Sequence, residues 1–151
     1  MVTEAATNRV EECEESDDII RECEIVLYTK PVEFSLIASL LLSIMRLRDS
    51  IYFQKWFLVA RFPRDNRLFT FEAIENESGH IEALRTTGST PADPKEKVVV
   101  GTVRTSPQKL LTLAQEHPYN GTRAPIWASL KKCQDWFNEF ARMVSPSLNL
   151  P

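Results

Sequence analysis

Only four glycines occur in this chain, at 79, 88, 101 and 121. None stands close to another, so there is no glycine-rich loop to cradle a phosphate or a dinucleotide. The two histidines, His80 and His117, are far apart, and no His/Cys spacing suits a zinc site. No metal and no cofactor is therefore expected. The G-x-S-x-G elbow of serine hydrolases is also missing. Cysteine is limited to Cys13, Cys23 and Cys133, an odd number without repeated spacing, which argues against a disulfide framework. The N-terminus is acidic rather than basic and then apolar, so no secretion signal is expected, and the cytoplasm is the expected location. Asn120-Gly121-Thr122 is then a turn rather than a glycosylation site. The longest apolar run, Phe34 to Leu47, contains Ser35, Ser39, Ser43 and Arg46. It falls short of the ~20 residues of a bilayer span, so no transmembrane segment is expected.

What is present is an ordinary globular balance, 43% hydrophobic and 26% charged, in a chain of 151 residues. That length fits one domain with a sizeable core. The net charge of −3 is unevenly spread: nine of the acidic residues lie in 1–24, against Arg9 and Arg21. The expected organisation is a disordered acidic leader at 1–17, a single domain at 18–146 and a tail at 147–151. The remainder is only mildly basic. Arg61, Arg64 and Arg67 flank a turn, and no nucleic-acid partner is expected.

Periodicity predicts strands at 19–29, 51–62, 68–74, 81–86 and 97–103, with Pro31 stopping the first or placing it at an edge. Val98, Val99 and Val100 in a row suggest a strand buried on both faces. Apolar residues at 37, 40, 41, 44 and 47 have helical spacing. Ser106-Pro107 signals a helix start, as N-cap and first helical residue. A last helix is expected from about 130 to 144, with Cys133, Trp136, Phe137, Phe140 and Val144 on its buried stripe. The fold class is α+β: an antiparallel β meander of about five strands flanked by helices.

Cys133 is the leading candidate for chemistry. The expected helix start places it in a first turn, after Lys131 and Lys132. Helix N-terminal amides and nearby cations both favour a thiolate, which is the reactive form. A small hydrophobe on a core stripe is the alternative.

The stretch His117-Pro118-Tyr119-Asn120-Gly121-Thr122-Arg123, followed by Cys133-Gln134-Asp135-Trp136, resembles the cysteine-bearing region of permuted papain-like proteins. That group includes the lecithin:retinol acyltransferase-like and related thiol-peptidase families. The order of an early strand, a meander and a cysteine helix is also similar. The resemblance implies a papain-like permuted topology and hydrolysis or transfer of acyl or isopeptide groups through the thiol. It implies a small-molecule, peptide or acyl substrate lying near Trp56, Tyr119 and Gln134, with Trp127 placed to cover the cleft mouth.

The chain departs from the family at two points. Lys55 stands where the strand histidine is expected, beside Trp56, and Lys132 replaces the asparagine before the cysteine. Lysine shuttles a proton at neutral pH only if burial lowers its pKa. Three readings stay open. His117, or less directly His80, serves Cys133 as base. The fold has lost catalysis and keeps a binding cleft. Or the cavity works on a small molecule without a covalent thiol step, with Lys55 as its polar group.

Overall fold

Side chains of a strand alternate between two faces, and here one apolar set lies on each strand. The computed structural model describes residues 6–32, 50–124 and 128–151. Strand β1 is Ala6–Arg9, β2 Arg21–Pro31 and β3 Gln54–Phe62. Strand β4 is Arg67–Glu75, β5 Ile81–Thr87 and β6 Glu96–Thr105. They form one antiparallel six-stranded sheet in the order β1-β5-β4-β3-β2-β6. Cys23, Ile25 and Leu27 of β2 share a buried core with Trp56, Leu58, Ala60 and Phe62 of β3. Phe69, Phe71 and Ala73 of β4 complete it from the next strand.

Helix α1, Pro107–Gln115, starts as its sequence directs. Pro107 is at the first position, and the Ser106 hydroxyl accepts from the Lys109 amide at 3.1 Å. Helix α2, Ser129–Val144, buries Trp136, Phe137, Phe140 and Ala141. Phe140 meets Phe71 edge-on at 5.0 Å, and Phe137 meets Trp56 edge-on at 5.5 Å. Each such aromatic side chain contributes about 1.5–3 kcal/mol by burial. The fold is therefore α+β, a meander with helices packed on it. No helix among the described residues is long and apolar enough to cross a membrane. The helical pattern at 37–47 lies outside the described residues.

Three expectations are corrected. The first concerns the acidic leader, whose residues 6–17 are ordered. Strand β1 adds to the outer edge of β5, from Ala6 opposite Thr87 to Arg9 opposite Leu84, and raises the strand number to six. Val10 and Cys13 enter the core. Glu15 and Asp17 reach Arg67 at 3.0 and 2.8 Å, and Asp17 reaches Arg21 at 3.0 Å. Composition signalled unpaired charge, but the partners are distant in sequence.

The second concerns the tail. Leu148 is buried, and the Asn149 amide donates to the Val100 carbonyl at 2.8 Å. A bulge in β6 makes room: Ile25 pairs with Gly101 and Val26 with Val99, so Val100 is left out of the ladder. Gly101 adopts φ 150°, which L side chains rarely tolerate, and a Cβ there would lie 2.8 Å from Leu148 Cδ2.

The third concerns the valine run. Strand β6 is an outer strand, and Val98 and Val99 are 36% and 62% exposed, so only Val100 is buried. Pro31, by contrast, sits where its missing amide does least harm, at the last position of the inner strand β2.

Hydrogen bonds from Arg21, and with them those from Arg67, hold the Asp17 carboxyl at about 2, below its ordinary 3.8. A carboxyl lowered on folding contributes stability that is complete above the unfolded value and lost as the pH falls through the folded one. Stability should therefore drop between about pH 4 and pH 2. In Asp17→Asn, stability at pH 7 should be lower by about 1–3 kcal/mol, with less further loss over that acid range. Urea unfolding at pH 7, 4 and 2.5 measures both effects; identical acid profiles would show that Asp17 does not carry them.

Candidate functional site

The register of the sheet creates the site. Strands β3 and β4 pair from Phe62 and Arg67 as far as Leu58 and Phe71, and then part. Beyond that point β3 stays with β2 down to Gln54 and Pro31, while β4 stays with β5 up to Glu75 and Ile81. The sheet forks, and the first turns of α2 close the opening. A cavity of about 240 Å³ results, lined by Lys55, Ala73, Ile74, Glu75, Leu130 and Cys133, among others. Lys55 Nζ donates to Glu72 Oε1 at 2.8 Å and lies 5.0 Å from the Phe57 ring centroid. It also borders a second cavity of about 310 Å³, enclosed by Phe57, Thr70 and the Ser89–Pro91 loop. That loop is fastened by the Thr70 hydroxyl, which donates to the Ser89 carbonyl at 2.8 Å.

Cys133 and Lys55 thus share one cavity. The expected helix-terminal support for a thiolate is missing, because α2 starts at Ser129 and Cys133 is beyond its first turn. The helix-end field fades within that turn. Lys131 is engaged by Asp135 at 3.0 Å. Burial pushes the Cys133 thiol up to about 11; Lys55 opposes this, and Glu75 and Glu72 add to it. The sulfur is therefore protonated at neutral pH.

His117 is held elsewhere. Its Nδ1 accepts from the Tyr119 amide at 3.0 Å, which assigns the proton to Nε2, 2.9 Å from the Trp136 carbonyl. The ring stacks on Trp136 at 4.6 Å and 11°. Burial lowers its pKa. His117 does not line the Cys133 cavity. His80 does not either; it forms an isolated bridge with Arg123.

The remaining candidates divide between packing and anchoring. Trp56 is buried and donates its indole N–H to the Ile51 carbonyl at 2.8 Å. Tyr119 packs against the core and lies 5.2 Å from the His117 ring. The Gln134 amide donates to the Tyr52 and Gln54 carbonyls at 3.0 and 2.8 Å, fixing α2 to the start of β3. Trp127 lies outside the described residues. The motif that suggested catalysis is in large part a brace: Trp136 Nε1 donates to Asn120 Oδ1 at 2.9 Å, and Asn120 Nδ2 to the Ala114 carbonyl at 2.8 Å.

Two residues of the candidate site read in the sequence as ordinary surface charge. Glu72 and Glu75 look like surface charge, yet they flank the fork. The signal that could have found them is the hairpin register about Arg64-Asp65-Asn66, which sets Glu72 diagonally across from Lys55. Comparison with protein-family models, characterised proteins and solved structures finds no match.

His117 should act through packing and not through the sulfur. His117→Ala should cost about 2–4 kcal/mol of stability, through the lost stacking and hydrogen bonds. The pH profile of Cys133 alkylation in the folded variant should match that of the wild type. Chemical unfolding and peptide-mapped labelling measure the two effects; a shifted thiol profile would return His117 to the site.

Proposed function

We propose that the domain is a binding module, a catalytically degenerate relative of the permuted papain-like group, working in the cytoplasm. Its cavity in the sheet fork takes an aliphatic group of side-chain size, such as a short acyl chain or an apolar peptide side chain. The observation that carries this reading is the state of Cys133: a half-buried thiol pushed up to about 11, without an imidazole in its cavity. Thiolate is the nucleophilic form, so such a sulfur is a poor nucleophile near neutral pH. Ala73, Ile74, Leu130 and Cys133 give the cavity an apolar body, with Lys55 and Glu75 as charged groups at its wall. Few polar groups around an apolar body is the usual composition of a ligand pocket. The free state of all three cysteines accords with a reducing compartment.

A thiol-dependent hydrolase or transferase keeps one support: Lys55 and Cys133 line the same cavity, and the ammonium opposes the rise of the thiol pKa. Lys55 is, however, paired to Glu72.

Alkylation separates the two readings. A thiol at about 11 rather than 9.0 holds about 100-fold less thiolate at pH 7.5, so iodoacetamide should label native Cys133 about 100-fold more slowly than free cysteine. Cys23, buried and pushed up to about 12, serves as the internal reference for a sulfur closed to reagent. Hexanoate should shift the methyl resonances of Ala73 and Ile74, and Cys133→Leu, which fills the cavity, should abolish the shifts. Labelling of Cys133 at free-thiol rates below pH 7 would refute the binding-module reading.

A further inference from the structure

A wide cleft among the described residues shares no lining residue with the cavity beside Cys133. It measures about 820 Å³ and is lined by Glu14, Glu15, Arg67, Phe69, Arg85 and Gln108, among others. Arg67 and Arg85 stand over the same ring: their guanidinium carbons lie 4.9 and 5.3 Å from the Phe69 centroid. The two arginines differ in what they hold. Arg67 grips Glu15 through two nitrogens, at 3.0 and 3.3 Å, and Asp17 at 2.8 Å. Arg85 is 7% exposed, and its Nε and Nη1 have no hydrogen-bond partner. Its ion-pair partner is Glu15 Oε1, 3.7 Å from Nη1, beyond hydrogen-bond reach and already bonded to Arg67.

A buried cation with idle donors is an unfavourable arrangement, because the lost hydration is not replaced. An anion would satisfy it. The planar guanidinium is matched best by a planar oxyanion, and Glu15 demonstrates that a carboxylate fits between these residues. Yet the cleft also carries Glu14 and Glu15, so an incoming carboxylate must compete with Glu15 for the same cations.

We propose that this cleft is a carboxylate-binding site, with Arg85 as its anchor and the Glu15 side chain as a built-in competitor. The ligand is a dicarboxylate, either free or as neighbouring side chains of an acidic peptide. Two carboxylates already converge on Arg67 from Glu15 and Asp17, and the ligand reproduces that spacing. The site is separate from the fork and does not depend on how Cys133 is used.

Titration calorimetry on the full chain tests it, with glutarate and with an acetylated, amidated Glu-Glu-Ser-Asp-Asp peptide as probes and chloride at matched ionic strength as control. Wild-type protein should give saturable heat with at least one probe. Saturation by glutarate assigns the site to free dicarboxylates, and saturation by the peptide alone assigns it to acidic peptides. Glu15→Gln should tighten binding about tenfold by removing the competitor. Arg85→Met, which keeps the side-chain length and discards the charge, should abolish binding while the circular dichroism spectrum stays native. Absence of saturable heat with both probes, in wild type and in Glu15→Gln, would overturn the proposal. So would equal affinities of those two proteins. If Arg85→Met does not fold, that affinity ratio still decides.

Discussion

Arginine held on the core-facing side of the sheet governs how the N-terminal segment folds. Arg21 and Arg85 are both buried, and a buried guanidinium without an anion costs several kcal/mol. The acidic residues must therefore come to the sheet. Once Glu15 and Asp17 are fixed on Arg67 and Arg21, the backbone between them and β1 has little freedom. Gln115 takes up the carbonyls of Val10 and Cys13, and the Gln108 amide donates to the Asp17 carbonyl. Val10 enters the core, and β1 reaches the rim of β5. Charge pairing, apolar burial and strand addition thus all act on one short stretch of chain.

The fork between β3 and β4 belongs to the other half of the molecule, and it is shaped by what fills it. Gln134 occupies the carbonyls at the start of β3, so α2 acts as a wedge where strand pairing has ended. Lys55 and Glu72 satisfy each other in the gap. Lys55 still lowers the Cys133 thiol pKa, but its ammonium is shared with Glu72. Burial and the carboxylates of Glu75 and Glu72 outweigh it, and the thiol is raised to about 11.

Local signals in the sequence carried much of this fold. The Ser106-Pro107 start, the hairpin turn at Arg64-Asp65-Asn66 and the aromatic stripe of α2 each act over a few residues, and each is seen where expected. The parts that were not legible depend on distant partners. The acidic leader reads as unpaired charge until Arg67 and Arg85 are brought beside it. The valine run reads as buried until the strand order places it outermost. At the site, the sharing of a cavity by Lys55 and Cys133 follows from element order. The role of His117 does not, because the Asn120–Trp136 brace that captures it links residues from a loop and a helix. A motif of aromatic, amide and imidazole groups serves such a brace as readily as it serves a cysteine.

The bulge at Val100 and Gly101 also alters what the outer edge of the sheet presents. An outer strand offers a row of idle amides and carbonyls, on which a strand of a neighbouring molecule can build. By leaving Val100 out of the ladder, the bulge turns its carbonyl to Asn149 and seats Leu148 over Gly101. A short irregular segment thereby covers part of that margin, and Lys97 leans over Tyr28 beside the stretch that stays open. Residues that contribute to neither helix nor sheet nor site thus occupy part of the outer margin of β6, on which a strand of another copy could otherwise pair.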